Sequence, residues 1–359
     1  MGIYGLNALS AWSLLQLLGG LVLLIAGAQL LVRCAEHIAA KLKVRPLLIG
    51  LTVVAMGSSA PQMTVSLQAA FNDTADIAVG SVIGSNTFNI LVTLGLSALI
   101  IPLRVSRQLV RLDIPLMILA SAMVFTLALN HQLDRLDGAL LLGGLLTYLL
   151  LLLYQSRHSG HHHPHHDRPP TSWLGTLSLM GCALLLLGIA GHLLLGAALE
   201  VASELGLSER IIGLTIVAVC TSLPELATSL IAAFRGQREI AVGNVIGSNV
   251  FNLLGVLGLT ALLAPAPLSV SPNALAFDLP VMLGVAALCL PVFYSGYRIT
   301  RVEGLLFLGL YLAYGLHMVS FTTGMPLAGK LEHLMLVYLL PALLVFVLLS
   351  AVRAWRRQH

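Results

Sequence analysis

Long, continuous apolar runs alternate along the chain with short polar segments. A helix needs about 20 apolar residues to cross the roughly 30 Å hydrocarbon layer of a bilayer. By this criterion the sequence predicts about eleven membrane-spanning helices. The predicted spans are residues 12–32, 47–70, 78–101, 112–129, 138–154, 173–195, 211–234, 240–263, 276–295, 303–322 and 334–352.

The composition supports this interpretation and excludes other classes of protein. Hydrophobic residues make up 58% of the 359 residues and charged residues only 9%, whereas a soluble domain has about 25% charged residues. A soluble enzyme, a nucleic-acid-binding protein and a disordered chain are therefore excluded. The apolar runs are continuous and do not alternate with polar residues, which favours helices over a barrel. We expect an all-α integral membrane protein whose surroundings are the lipid bilayer.

Basic residues are concentrated in alternate loops between the predicted spans. If the N-terminus lies outside, sixteen of the 19 Lys and Arg residues fall on the inner side, including those of 33–46, 102–111 and 155–172. Cytoplasmic loops of membrane proteins carry such an excess of Lys and Arg. The sequence therefore predicts an outer N-terminus and a cytoplasmic C-terminus.

The chain contains an internal repeat. Residues 50–95 and 213–258 align without a gap and are identical at 26 of 46 positions. Each repeat contains five predicted spans, and an odd number places the second copy upside down relative to the first. Inverted repeats are typical of secondary transporters, whose binding sites lie at the repeat interface near the midplane. The predicted organisation is a first repeat (1–154), a His-rich cytoplasmic linker (155–172), a second repeat (173–325) and an additional span with a basic tail (326–359).

Two prolines occupy matched positions in the middle of predicted spans. Pro61 and Pro224 each remove a backbone hydrogen bond and clash with the carbonyl four residues earlier. We therefore expect both helices to break there. The carbonyl groups freed at such a break are good ligands for hard cations.

One acidic residue, Glu225, is placed deep inside a span by the sequence. No Lys or Arg lies at a similar depth, so a bound cation or a proton is expected to balance its charge. The first repeat has the neutral Gln62 at the matching position. Asp113 and Asp278 precede prolines at the starts of spans, and we interpret them as helix caps.

The repeated segments are rich in small polar side chains with oxygen atoms. Hydroxyl, amide and carboxylate oxygens without soft ligands suit sodium, calcium or similar hard ions. Packing of helices through small polar residues is the alternative explanation. The matched residues are Ser58, Ser59, Ser66, Ser85, Asn86 and Asn89 in the first repeat, and Thr221, Ser222, Ser229, Ser248, Asn249 and Asn252 in the second.

The runs Ser58-Ser59-Ala60-Pro61-Gln62 and Thr221-Ser222-Leu223-Pro224-Glu225, each followed by a Gly-Ser-Asn motif, resemble the α-repeats of the cation/calcium exchanger superfamily. The closest resemblance is to prokaryotic sodium/calcium exchangers. It implies ten core helices, an inner-membrane location, and antiport of Na⁺ and Ca²⁺ by alternating access, without a cofactor or enzymatic activity. The resemblance implies ion ligation by Ala55, Ser58, Ser59, Gln62, Ser85, Asn89, Ala218, Thr221, Ser222, Glu225, Ser248 and Asn252.

Two departures from the family pattern leave other functions open. Gln62 replaces an acidic residue, and Asn252 stands where many sodium/calcium members have Asp. One carboxylate balances only half of a calcium charge, so proton- or sodium-coupled exchange of another cation is the alternative. An intramembrane hydrolase is a further alternative, but it is disfavoured because the serines occur in repeat-related pairs. No oligomeric state follows from the sequence.

The linker between the repeats contains a cluster of histidines. Imidazole clusters can bind zinc, nickel or copper. We favour a polar linker of loosely constrained composition, and a regulatory metal site is the alternative. The cluster comprises His158, His161, His162, His163, His165 and His166.

Overall fold

The computed structural model describes residues 11–72, 74–158, 172–204, 216–294, 296–322, 327–339 and 345. It is almost entirely helical. The helices are α1 (Ala11–Leu42), α2 (Pro46–Ser58), α3 (Ala60–Phe71), α4 (Ala75–Ile100), α5 (Leu109–Asn130), α6 (Arg135–His158), α7 (Trp173–Glu204), α8 (Ala218–Phe234), α9 (Arg238–Leu263), α10 (Ala274–Tyr294), α11 (Arg301–Thr322) and α12 (Leu327–His333). The strands are β1 (Leu103–Arg104), β2 (Gln132–Leu133), β3 (Leu268–Ser269) and β4 (Arg298–Ile299).

Seven helices of the described residues are long and apolar enough to cross a membrane, and the bent pair α2–α3 makes an eighth span if it is counted as one. The seven are α1, α4, α5, α6, α7, α9 and α10. This finding agrees with a multi-pass membrane protein. The total of eleven spans stays a prediction, because most of the last predicted span lies outside the described residues.

Two helices, α4 and α9, form the centre of the molecule. The apolar window of α4 is 94% buried and that of α9 is 83% buried, whereas the window of α6 is only 22% buried. Both central helices are rich in Gly, Ala, Ser and Asn, whose small side chains let neighbouring backbones approach closely. The Leu-rich helices at the periphery instead expose large apolar side chains.

Helix α4 carries a polar residue at every fourth position over most of its length. These residues are Ser81, Ser85, Asn89, Thr93 and Ser97, and all are buried. In a regular α-helix a four-residue step overshoots a full turn by about 40°. A π-helical segment at 89–94 has wider turns and offsets this drift. The polar stripe therefore stays on one side of α4, and α9 has a matching π segment at 251–256.

Short antiparallel strand pairs join the two halves of the chain at opposite ends of the bundle. Strand β1 pairs with β4, and β2 pairs with β3. The sequence prediction places both members of each pair on the same side of the membrane. We call the two ends of the molecule the β1–β4 end and the β2–β3 end. Helix α4 leads into β1, and the start of α9 packs near β1, so α4 and α8 both finish at the β1–β4 end.

The two prolines have different effects on the backbone. The helix breaks at Ser59 with a bend of 42° between α2 and α3, and Pro61 is the second residue of α3. The break expected at Pro224 is wrong, because Pro224 lies inside the continuous helix α8. Two hydroxyl groups bond to carbonyls of the turn before it: Thr221 Oγ1 donates to the carbonyl of Val217 at 2.8 Å, and Ser222 Oγ donates to that of Ala218 at 2.9 Å.

Candidate ion-binding site

Glu225 lies in the interior, with 1% of its surface exposed. Its Oε1 accepts a hydrogen bond of 2.9 Å from Ser59 Oγ, at the break between α2 and α3. Its Oε2 has no hydrogen-bond partner among the described residues. A buried carboxylate oxygen without a partner is costly unless a cation or a proton supplies the missing interaction. Glu225 therefore has the geometry expected of an ion ligand.

Gln62, the counterpart of Glu225, is held by hydrogen bonds within its own half of the chain. Its Nε2 donates to Ser66 Oγ at 3.2 Å and to Ser81 Oγ at 2.8 Å. Its Oε1 accepts from Ser85 Oγ at 2.9 Å. Both N–H donors are thus used and one oxygen lone pair is engaged. The amide links α3 to α4 and adds no charge to the site.

The backbone carbonyls of Ala55 and Ala218 lie in the same polar region. The carbonyl oxygen of Ala218 lies 3.2 Å from Ser85 Oγ, and that of Ala55 lies 3.4 Å from Ser248 Oγ. Each serine belongs to the half of the chain opposite to its carbonyl. The two halves therefore make matched contacts through residues that occupy matched sequence positions.

The remaining hydroxyls complete this cluster. Ser222 Oγ lies 2.8 Å from Ser85 Oγ, and Thr221 Oγ1 lies 3.3 Å from the same atom. Ser58 Oγ lies 3.4 Å from Ser248 Oγ. Every serine and threonine that the sequence assigned to the site is thus in contact with another candidate residue, and all are buried.

Four asparagines cross-connect α4 and α9 at the centre of the bundle. Asn86 Nδ2 donates to the carbonyl of Asn249 at 3.2 Å, and Asn249 Nδ2 donates to the carbonyl of Asn86 at the same distance. Asn89 Nδ2 donates to Asn249 Oδ1 at 3.1 Å, and Asn252 Nδ2 donates to Asn86 Oδ1 at 3.0 Å. These bonds fix the amide nitrogens of Asn89 and Asn252, while their Oδ1 atoms have no partner among the described residues.

Three buried oxygens of the candidate residues are therefore available as ligands: Glu225 Oε2, Asn89 Oδ1 and Asn252 Oδ1. The described part of the chain has no group of three or more His, Cys, Asp or Glu that could hold a metal ion. The candidate site instead combines one carboxylate with neutral amide, hydroxyl and carbonyl oxygens. Such oxygen sets suit hard cations rather than soft transition metals.

Asn244 is a buried member of this cluster that the sequence analysis missed. Its Nδ2 donates to the carbonyl of Glu225 at 3.2 Å and to Ser229 Oγ at 2.9 Å, and its Oδ1 accepts from Ser58 Oγ at 3.1 Å. Ser81, which binds Gln62, occupies the matching position in the first repeat. The four-residue spacing of polar positions on α4 and α9 is the signal that identifies both residues.

Glu225 is not the only acidic residue buried within a helix. Asp113 lies in α5, and its Oδ1 accepts from Tyr148 of α6 at 3.4 Å. Asp278 lies in α10, and its Oδ1 accepts from Tyr314 of α11 at 3.1 Å. The interpretation of these residues as helix caps is wrong, because Asp113 makes no side-chain capping bond and Asp278 lies inside a helix that begins at Ala274. Each carboxylate instead links two neighbouring helices.

The histidine cluster lies largely outside the described residues. His158 is the last residue of α6, whereas His161, His162, His163, His165 and His166 belong to the undescribed linker. A metal site in this linker stays a prediction.

The fold and the polar cluster together define a class: a multi-pass helical membrane protein with a buried cluster of oxygen-bearing side chains. Comparison with known proteins assigns the family. The family model for the sodium/calcium exchanger protein matches residues 12–154 and 175–320. The chain therefore belongs to the sodium/calcium exchanger family and is a prokaryotic exchanger of the cation/calcium exchanger superfamily.

Individual relatives agree with this assignment. CaxA of Alkalimonas amylolytica is 42% identical over 82% of this chain and 95% of its own length. The inner membrane protein YrbG of Escherichia coli is 36% identical over 75% of this chain and 85% of its own length. A solved structure of the sodium-calcium exchanger NCX_Mj, soaked with Na⁺ and Sr²⁺, superposes with a TM-score of 0.72 at 31% identity, covering 84% of this chain and 96% of that chain. The protein is therefore a membrane antiporter of the sodium/calcium exchanger type and not an enzyme.

Proposed function

We propose that the protein exchanges Na⁺ for Ca²⁺ by alternating access at the polar cluster between α3, α4, α8 and α9. One observation carries this proposal: the buried Glu225 carboxylate has an unpartnered oxygen. The fixed asparagine amides of Asn89 and Asn252 add two more. The sodium/calcium exchanger family and the likeness to NCX_Mj support the choice of ions.

We also propose that residues 1–154 and 173–325 form two inverted repeats, with the cytoplasmic linker between them and an additional span after them. The reciprocal bonds between Asn86 and Asn249 support this arrangement. The two strand pairs support it as well, because each joins a loop of one half to a loop of the other at opposite ends. An inverted pair of halves can expose one central site to either side of a membrane in turn.

The charge of the site bears on the choice of transported ion. Na⁺ with one carboxylate is electrically neutral, whereas Ca²⁺ with one carboxylate leaves a net positive charge in a low-dielectric interior. We therefore propose that the site binds calcium weakly. Proton- or sodium-coupled exchange of another cation is the second candidate, and the neutral, hydrogen-bonded Gln62 favours it.

Flux measurements in proteoliposomes test both candidates. The purified protein is reconstituted with an outward Na⁺ gradient, and uptake of radioactive Ca²⁺ is followed. Parallel vesicles carry K⁺, Mg²⁺ and proton gradients. Coupled movement of Na⁺ and Ca²⁺ is the expected result. Coupling only between other cations would favour the second candidate, and the absence of all cation exchange would contradict both.

The variant Glu225→Gln tests the role of the carboxylate. It keeps the size of the side chain and removes the charge that balances the cation, so we expect loss of exchange. Glu239→Gln is the matched control, because Glu239 lies in the first turn of α9, outside the cluster. Full exchange by Glu225→Gln would contradict the assignment of Glu225 as the ion-balancing carboxylate.

A further inference from the structure

Beyond the candidate ion site, α4 carries a line of hydroxyls towards the β1–β4 end. Thr93 and Ser97 follow Asn89 at intervals of four residues, and both are 0% exposed. Thr93 Oγ1 and Ser97 Oγ have no hydrogen-bond partner among the described residues. Together with Asn89 Oδ1, they form a row of three unpartnered oxygens on the same helix.

Helix α8 contributes a further hydroxyl, at about the same position along the helix axes as Thr93 of α4. Thr228 lies three residues after Glu225, is 0% exposed, and its Oγ1 is also unpartnered among the described residues. Helices α4 and α8 run side by side in the same direction, and Ser85 contacts Ser222. With a rise of 1.5 Å per residue, Thr93 and Thr228 both lie roughly 10 Å from that contact, towards the β1–β4 end.

Such unpartnered hydroxyls differ from others in this protein. A hydroxyl on a buried helix can donate to the carbonyl four residues earlier. Thr87 does so to Ile83 at 3.0 Å, and Ser121 does so to Met117 at 2.9 Å. A buried hydroxyl without a partner costs stability. This cost indicates that a ligand binds these three hydroxyls or that they have another function; the residues are Thr93, Ser97 and Thr228.

The other half of the chain does not repeat this set of hydroxyls. Thr93 is matched by Val256, and Thr228 is matched by Val65. Only Ser97 has a hydroxyl counterpart, Thr260, which is buried and unpartnered. The polar row is therefore continuous from the candidate ion site towards the β1–β4 end and interrupted towards the β2–β3 end.

We propose that Thr93, Ser97 and Thr228 form a neutral transit subsite for cations passing between the candidate ion site and the β1–β4 end. Their hydroxyl oxygens replace part of the hydration shell of a cation while it enters or leaves. The subsite has no charge, so it binds the cation weakly and does not retain it. This inference rests on the proposed exchange function. It adds that a cation passes a row of hydroxyls on the β1–β4 side of the candidate ion site, whereas this row is interrupted on the β2–β3 side.

Sided flux measurements test this proposal. The double variant Thr93→Val/Thr228→Val removes two hydroxyls while conserving shape. The concentration of the transported cation is varied on the side of the membrane that one end of the protein faces. The exchanging cation is kept at a saturating concentration on the other side. We expect the half-saturating concentration at the β1–β4 end to rise at least about fivefold, since the loss of one polar interaction alone has about this effect, and that at the β2–β3 end to stay unchanged. Thr260→Val is the matched control and should leave the β1–β4 value unchanged.

Two single variants, one that retains a hydroxyl and one that deletes it, test the proposal if the double variant fails to fold. Thr93→Ser retains the hydroxyl and should keep the wild-type half-saturating concentration, whereas Ser97→Ala should raise it at the β1–β4 end only. Equal changes at both ends, or no change in either hydroxyl-deleting variant, would overturn the transit subsite. Absence of cation exchange in the wild-type protein would instead contradict the proposed function, so the two failures are distinguishable.

Discussion

At the scale of single residues, one amino acid difference between the repeats determines the charge of the candidate site. Glu225 and Gln62 occupy matched positions, and both are buried. Glu225 has an unpartnered oxygen, whereas both N–H donors of Gln62 are bonded to serines. A single glutamate thus supplies the charge, and neutral groups hold the geometry around it.

Replacing Gln62 with glutamate should strengthen calcium binding. The Gln62→Glu variant adds a second carboxylate, and more ligand charge raises calcium affinity. Ser66 and Ser81 now accept from Gln62, but their hydroxyls can rotate to donate to a carboxylate. We expect the half-saturating Ca²⁺ concentration for exchange to fall about tenfold.

The matched control for this substitution is Gln68→Glu, which makes the same change at an exposed position of the same helix. It should leave the calcium dependence unchanged. If Gln62→Glu exchanges calcium with wild-type affinity, Gln62 does not line the cation site.

At the scale of secondary-structure elements, the sequence predicted which residues come together better than it predicted the backbone. The alignment of the two repeats identified Ser58, Ser85, Ser222 and Ser248, which make contact as the pairs Ser58–Ser248 and Ser85–Ser222. It did not show that α8 continues through Pro224, because neighbouring helices of the folded protein decide whether a helix tolerates a proline.

Other features depend on tertiary contacts, which local sequence signals do not indicate. Asn244 contacts Ser58 only because α2 packs against α9, and a single repeat does not reveal this contact. The proline near Asp113 indicates a helix cap, but the partner of Asp113, Tyr148, lies 35 residues away on another helix. Local sequence signals indicate helix ends, whereas such pairs appear only after packing.

The contact between α2 and α9 gives a prediction about helix packing. A Cβ atom added at Gly247 would lie 2.5 Å from the carbonyl oxygen and 2.7 Å from the Cα of Leu51. Backbone atoms cannot yield as a flexible side chain can, so Gly247→Ala should push α9 away from α2. We expect it to destabilise the protein by about 1–3 kcal/mol and to reduce exchange, measured by thermal unfolding in detergent and by flux.

Gly188→Ala in α7 is the control for this variant, because nothing lies within 4 Å of a Cβ atom at that position. It should unfold at the wild-type temperature or slightly above, since alanine favours helices. A Gly247→Ala protein as stable as the control would show that the α2–α9 contact is not close-packed in the membrane.

At the scale of the whole molecule, the two strand pairs connect the halves of the chain at both ends. Each pair contains one strand from each half, so the ends of the bundle are tied across the molecule. The basic residues in the loops predict which side of the membrane each loop faces. The structure adds that loops assigned to the same side are in contact.

The predicted orientation of the whole molecule can be tested at these strands. Arg298 in β4 and Ser269 in β3 are both exposed and lie at opposite ends. The excess of basic residues at the β1–β4 end predicts that this end faces the cytoplasm. A membrane-impermeant maleimide added outside intact cells should therefore label Ser269→Cys and leave Arg298→Cys unlabelled. Inverted membrane vesicles should show the opposite pattern, and the unsubstituted protein measures labelling of the native cysteines. Labelling of Arg298→Cys in intact cells would reverse the assigned orientation and with it the direction in which the Thr93–Ser97 row leads.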